Sequence, residues 1–161
     1  MKWFLKQLAR SNNKSGFTLI EIIVVIAIVG ILAAIISSPF GKFRNAQALQ
    51  NTTNAIVSVI NSARTKTLAS VNNTSYGVHI DSDRVILFTG ISYNSEDATN
   101  QIVIFEPQVT LETLSLNGGG AEILFDRLKG TTSQYGTIVI DLPSGQSKTI
   151  TVQATGSVLR N

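Results

Sequence analysis

The segment from Phe17 to Ile36 decides the architecture of this chain, and it reads FTLIEIIVVIAIVGILAAII. Glu21 is its only charged residue. In helical conformation a stretch of this length extends about 30 Å, which matches the hydrocarbon thickness of a bilayer. The apolar run ends where Ser37, Ser38 and Pro39 follow. We therefore predict a transmembrane helix over residues 17–38.

The residues before this segment are basic. Residues 1–16 contain no acidic side chain and four basic ones, namely Lys2, Lys6, Arg10 and Lys14. The positive-inside rule places such a leader in the cytoplasm and the rest of the chain on the other side of the membrane. The apolar run is longer than the roughly 7–15 residues of a secretory signal peptide. The sequence thus predicts a single-pass protein of the cytoplasmic membrane.

Glu21 needs an explanation, because a carboxylate inside a membrane span costs about 2.5–3.5 kcal/mol on insertion scales. One interpretation is that Glu21 reaches the cytoplasmic interface. The other is an ion pair with a second chain within the membrane. The chain has no basic residue between Lys14 and Lys42, so its own span offers no side-chain partner. A free α-amino group at Phe17, produced by cleavage after Gly16, would supply one.

The octapeptide KSGFTLIE at residues 14–21 closely resembles the processing site of type IV prepilins and type II secretion pseudopilins. The resemblance implies that a prepilin peptidase cleaves after Gly16 and N-methylates Phe17. It also implies that Glu21 pairs with the N-terminus of a neighbouring subunit during assembly. The implied partners are other pilin or pseudopilin subunits, the prepilin peptidase, an inner-membrane assembly platform, and lipid before assembly. Residues 1–16 are then a prepilin leader peptide.

Residues 39–74 have helical periodicity. We predict an amphipathic stalk helix that continues from the membrane span across Pro39 and packs its apolar stripe on the part of the chain that follows. The stripe has a gap at Thr52-Thr53. Its predicted members are Phe40, Phe43, Ala46, Leu49, Ile56, Ile60, Ala63 and Leu68.

From Ser75 the hydrophobic period changes to two or to short apolar blocks, which predicts a β-rich globular head over residues 75–161. Turns are predicted at 81–83, 117–120 and 143–146, and residues 92–100 form a polar loop. A helix followed by strands gives an α+β fold, in which the long helix packs on an antiparallel β head. The resemblance to prepilins implies that this fold is pilin-like. The predicted strands are 75–80, 84–89, 101–105, 109–116, 121–125, 137–142, 148–153 and 156–160.

The C-terminal part of the chain adds a narrower resemblance. The segment 121–130 ends in Lys129-Gly130, and two strand-like segments and Gly156 follow it. This order resembles the C-terminal pattern of minor pseudopilins of the GspH/FimT type. The resemblance implies a minor subunit.

The residues that catalysis or metal binding would need are scarce. The chain has no cysteine, and His79 is its only histidine. His79 and Asp81 share a strand face, which we interpret as an exposed polar edge. Asp81-Ser82-Asp83 lacks the later ligand positions of a calcium loop, and Gly118-Gly119-Gly120 is not followed by the residues of a phosphate loop. We therefore predict no catalytic, cofactor-binding or metal-binding residues and no enzyme activity.

Two functions follow from these patterns. The first is a structural subunit, a minor pilin or pseudopilin of a type IV pilus or type II secretion pseudopilus. The alternative is a DNA-binding minor pilin of a competence or DNA-uptake apparatus. Phosphate contacts need clustered Lys and Arg, whereas residues 67–161 hold five basic and nine acidic side chains, a net charge of −4. The charge of the head therefore argues against nucleic acid as a partner.

Overall fold

The computed structural model of the chain describes residues 16–161, with the side chains of residues 35–40 and 42 outside that description. Of the predicted leader, only Gly16 lies within the described residues. The chain divides into two compact units, one ending at Phe40 and the other comprising Gly41–Asn161.

Helix α1, Leu19–Leu68, begins within the predicted membrane segment. Its first turn contains Glu21 and its last turn contains Lys66. Within the described residues, no helix has an apolar stretch of the length that a membrane crossing requires. The predicted span, 17–38, includes four positions whose side chains lie outside the description, and it stays a prediction.

The second half of α1 buries one face against the strands, as the periodicity predicts. Leu49, Ile56, Ile60 and Ala63 are each at most 4% exposed and belong to the main hydrophobic core. The gap in the stripe is filled by two buried threonines, Thr52 and Thr53. The Thr53 hydroxyl donates to the Leu49 carbonyl oxygen at 2.7 Å, while the Thr52 hydroxyl accepts the Glu106 N–H at 3.2 Å. Both polar atoms are therefore satisfied inside the core.

The apolar stripe is shorter than predicted at its N-terminal end. Phe43 is 68% exposed, and Ala46 is exposed as well. The prediction was wrong for these two residues, because the hydrophobic core begins to cover the helix only near Ala48 and Leu49. Phe40 lies outside the described side chains.

A short 3₁₀ turn, Val71–Asn73, separates the helix from eight strands. The strands form two four-stranded antiparallel sheets, in the orders β3-β2-β1-β5 and β4-β6-β7-β8. Each predicted strand is confirmed to within one or two residues at its ends, and so is the α+β class. The strands are β1 Tyr76–Ile80, β2 Arg84–Thr89, β3 Gln101–Ile104, β4 Thr110–Leu116, β5 Glu122–Leu124, β6 Gly136–Asp141, β7 Ser147–Val152 and β8 Val158–Arg160.

The two sheets and the helix share one hydrophobic core. Alternate residues of the central strands point into it, so that Val78 of β1 lies beside Leu87 of β2, and Ile138 of β6 lies beside Ile150 of β7. All four are at most 2% exposed. At about 25 cal/mol for each Å² of apolar surface buried, such a core is the main stabilising contribution to the head.

Polar contacts fix the end of the helix to the head. The buried Thr67 hydroxyl accepts the Tyr76 N–H at 2.9 Å and donates to the Tyr76 carbonyl oxygen at 3.2 Å. Arg64 donates from Nε to the Gly130 carbonyl oxygen at 3.1 Å. These bonds join the last turns of α1 to β1 and to a loop far away in sequence.

Candidate processing and assembly site

Gly16 and Phe17 lie just before the first turn of helix α1. Gly16 is exposed, and a Cβ placed on it would meet no heavy atom within 4 Å beyond its chain neighbours. The Phe17 side chain is 78% exposed. The predicted scissile bond therefore lies in an exposed stretch of chain before the helix begins.

Thr18 caps the helix, a role that the sequence analysis missed. The Glu21 N–H donates to the Thr18 carbonyl oxygen at 3.1 Å and lies 3.3 Å from the Thr18 hydroxyl oxygen. A threonine followed three residues later by glutamate is the signature of a capping box, and Thr18-Leu19-Ile20-Glu21 carries it. Glu21 thus lies at the third helical position, three residues after the capping residue.

The side chain of Glu21 faces solvent in the part of the chain that the structure describes. Glu21 is exposed, and it makes no ion pair within residues 16–161 as described. It lies four residues after Phe17 on the same end of the helix. Negative charge at a helix N-terminus is favourable because it opposes the positive end of the helix dipole.

The helix around Glu21 exposes apolar side chains on all its sides. Between residues 17 and 32, twelve large apolar side chains are at least 47% exposed. A helix that is apolar all round requires apolar surroundings, and residues 16–161 as described do not supply them. These side chains are Phe17, Leu19, Ile20, Ile22, Ile23, Val24, Val25, Ile26, Ile28, Val29, Ile31 and Leu32.

His79 is not the exposed polar edge that the strand pattern predicts. Its ring stacks on the Tyr93 ring, with centroids 4.1 Å apart and planes 14° from parallel. Its Nδ1 lies 3.9 Å from a carboxylate oxygen of Glu122 on the neighbouring strand. The polar loop that follows β2 folds back over this face of the sheet and half-buries the histidine, a tertiary contact that strand periodicity does not contain.

In the Asp81-Ser82-Asp83 turn the two carboxylates face the guanidinium group of Arg84 and are not arranged as ligands of a metal ion. Arg84 Nε lies 2.7 Å from Asp83 Oδ1 and 4.0 Å from Asp81 Oδ2. The hydrogen bond from Arg84 lowers the pKa of the Asp83 carboxyl. Across residues 16–161, no three His, Asp or Glu side chains come together in a group that could hold a metal ion.

Several basic side chains of the head are engaged in internal contacts. Arg127 donates to Ser70 Oγ at 2.7 Å and to the Asn73 carbonyl oxygen at 3.0 Å. Arg160 donates to Asn54 Oδ1 at 2.6 Å, and Arg64 is held by two carbonyl oxygens. Guanidinium groups held in this way are poorly placed to gather phosphates, which weakens the nucleic-acid alternative.

Comparison with known proteins bears on the N-terminal segment only. No curated protein and no solved structure matches the chain. A family model described as the prokaryotic N-terminal methylation motif matches residues 11–37. The matched region contains Gly16, Phe17, Thr18 and Glu21 together with the exposed apolar turns. The chain therefore carries, at residues 11–37, the N-terminal methylation motif that is the prepilin signal of type IV pilins and pseudopilins.

Proposed function

We propose that this protein is a structural subunit, a minor pilin or pseudopilin, that a prepilin peptidase processes and that assembles through the first half of helix α1. Cleavage follows Gly16, Phe17 becomes the N-methylated first residue, and Glu21 pairs with the N-terminus of a neighbouring subunit. The head stays outside the cytoplasmic membrane. The observation that carries the proposal is the methylation motif on a helix whose apolar side chains are exposed on every side.

The exposed apolar helix is suited to two successive environments, first lipid and then the interior of a filament. Before assembly, lipid would cover residues 17–34, and in a filament the same side chains would pack against those of other subunits. Burial of apolar surface drives such packing once the helix leaves the lipid. Neither state requires chemistry from the head, whose described residues contain no metal-binding group.

Glu21 would set the depth at which a subunit enters the filament. A carboxylate in apolar surroundings is strongly stabilised by an opposite charge because the local dielectric constant is low. Removal of one partner leaves the other charge buried and unpaired, which costs about 3–5 kcal/mol. A subunit would therefore enter the filament at the depth where its Glu21 meets the amino group of a neighbour.

The test is to compare filament incorporation of Glu21→Gln, Glu21→Asp and the unaltered chain in cells that contain the prepilin peptidase and the assembly machinery. Glu21→Gln keeps the shape of the side chain and removes its charge, so we expect normal cleavage and a large loss from sheared filaments. Glu21→Asp shortens the reach by one methylene and should give a partial loss. Immunoblots of the filament and membrane fractions measure both.

The matched control is Glu96→Gln, which removes an exposed carboxylate in the polar loop of the head. This variant should be incorporated like the unaltered chain. Incorporation of Glu21→Gln at the same level would refute the ion pair. Failure of cleavage in Glu21→Gln would instead assign the glutamate to recognition by the peptidase.

A further inference from the structure

The turn between β4 and β5 has the features of a site of spontaneous chemical modification. It reads Leu116-Asn117-Gly118-Gly119-Gly120. The Gly119 N–H donates to the Leu116 carbonyl oxygen at 3.0 Å, which closes a tight turn with Asn117 and Gly118 at its centre. Asn117 and all three glycines are exposed.

The nucleophile and the electrophile of a cyclisation belong to consecutive residues of this exposed turn. The Gly118 N–H donates to no acceptor within the described part of the chain. A Cβ on Gly118 would meet no heavy atom within 4 Å, and Gly118 itself has no side chain to hinder its own nitrogen. The Asn117 amide is held by a bond from Nδ2 to the Ser133 carbonyl oxygen at 2.9 Å.

The geometry points to Asn117 as a deamidation site. The Gly118 backbone nitrogen loses its proton to solvent and attacks Cγ of Asn117, so that the N–Cγ bond forms. Nδ2 takes up a proton from solvent, the Cγ–Nδ2 bond breaks, and ammonia leaves. The product is a five-membered succinimide. Water then adds to either of its carbonyls, which gives an aspartate or an isoaspartate at position 117. The reaction needs no enzyme, oxidant or cofactor, and it is independent of the proposed function.

Two other asparagines serve as internal comparisons. Asn94 precedes Ser95 in the exposed loop, where the side chain of Ser95 hinders the attacking nitrogen. Its amide, like that of Asn117, makes one hydrogen bond, here from the Glu96 N–H to Oδ1 at 3.1 Å. Asn61 precedes Ser62 within helix α1, where the backbone N–H groups are bonded along the helix. We expect Asn117 to react first, then Asn94, and Asn61 last.

The modification would remove the hydrogen bond between Asn117 and Ser133 and so lower the stability of the head. Asn117 Nδ2 is a donor to Ser133, and a carboxylate in its place presents an acceptor to a carbonyl oxygen. The segment beside Ser133 also carries Gln134, whose Oε1 accepts the Leu124 N–H of β5 at 3.2 Å. Loss of about one hydrogen bond, with the repulsion that replaces it, should lower the Tm of the chain by about 2–4 °C.

The experiment incubates the purified full-length chain in detergent micelles at neutral and at mildly alkaline pH. Tryptic peptides are followed by mass spectrometry over time, and fragment ions locate the change. Asn94 and Asn117 fall on the same tryptic peptide, 85–127, so each sample contains its own comparison. We expect deamidation at position 117 several-fold faster than at 94, with ammonia loss marking the succinimide and a faster rate at the higher pH.

Two variants separate the chemistry from general instability. Asn117→Gln keeps an amide but would have to close a six-membered ring, so position 117 should stay unmodified while Asn94 reacts as before. Asn117→Asp reproduces one product and should show the lower Tm without incubation. An unmodified Asn117 in the unaltered chain, or a rate at Asn94 equal to or above that at Asn117, would overturn the proposal.

Discussion

At the scale of single residues, Gly136 shows how closely the strands of the head approach each other. It begins β6 and pairs with Leu116 of β4. A Cβ on Gly136 would lie 2.0 Å from the Ser115 carbonyl oxygen and 2.9 Å from the Leu116 Cα. Because both neighbours are backbone atoms, a side-chain rotation cannot relieve the clash.

We therefore expect Gly136→Ala to lower the free energy of unfolding by about 1–3 kcal/mol, as overpacking does elsewhere. Thermal unfolding followed by circular dichroism measures the loss. The matched control is Gly41→Ala within helix α1, where a Cβ meets nothing within 4 Å. Alanine is favoured over glycine in helices by about 1 kcal/mol, so the control should be neutral or stabilising, and equal Tm values for the two variants would contradict this account of Gly136.

At the scale of elements, helix α1 contributes a narrow buried face to the head. Ile56 and Ile60 are fully buried between the helix and the sheets. Truncation of a buried isoleucine removes apolar contacts and leaves a cavity, so Ile60→Ala should cost about 2–5 kcal/mol. Chemical denaturation measures this difference.

The control for that experiment is the next residue along the helix. Asn61 is exposed, and Asn61→Ala replaces a poor helix former by the best one. It should leave stability unchanged or raise it slightly. If the two variants behaved alike, the helix would not be packed on the sheets in the register described.

The sequence predicted these elements well because their signals are local. The change from a period near 3.6 to a period of two marks the boundary between helix and strands, and turn residues mark the strand ends. Leu49 and Ile60 fall on the buried face for the same reason. The burial of Thr52 and Thr53 could not be predicted from the helical pattern. The Thr52 hydroxyl is satisfied by the N–H of Glu106, which is distant in sequence.

Features that depend on distant parts of the chain could not be predicted. Phe43 lies on the apolar stripe, but periodicity does not say how far the covering strands extend. The assignment of eight strands to two sheets depends on which edges meet. The stacking of His79 on Tyr93 requires a loop to fold back over β1. Thr18 is different, since its capping box is a local pattern that the sequence itself contains.

At the scale of the whole molecule, the chain divides into two compact units, one ending at Phe40 and the other comprising Gly41–Asn161. The main core lies within residues 41–161, whereas the twelve exposed apolar side chains of residues 17–32 lie outside it. We expect a fragment comprising residues 41–161 to fold as a soluble monomer. Light scattering after size-exclusion chromatography measures its mass, and filaments of this fragment in electron micrographs would show that assembly does not depend on the apolar half.

The central claim is that the chain is matured as a prepilin and then assembled. Mass spectrometry of the N-terminus of the filament-associated protein tests it most directly. We expect the mature chain to begin at Phe17 with an N-methyl group and to lack Trp3, the only tryptophan. A filament-associated chain that keeps Met1 or Trp3, or that begins at any residue other than Phe17, would contradict it.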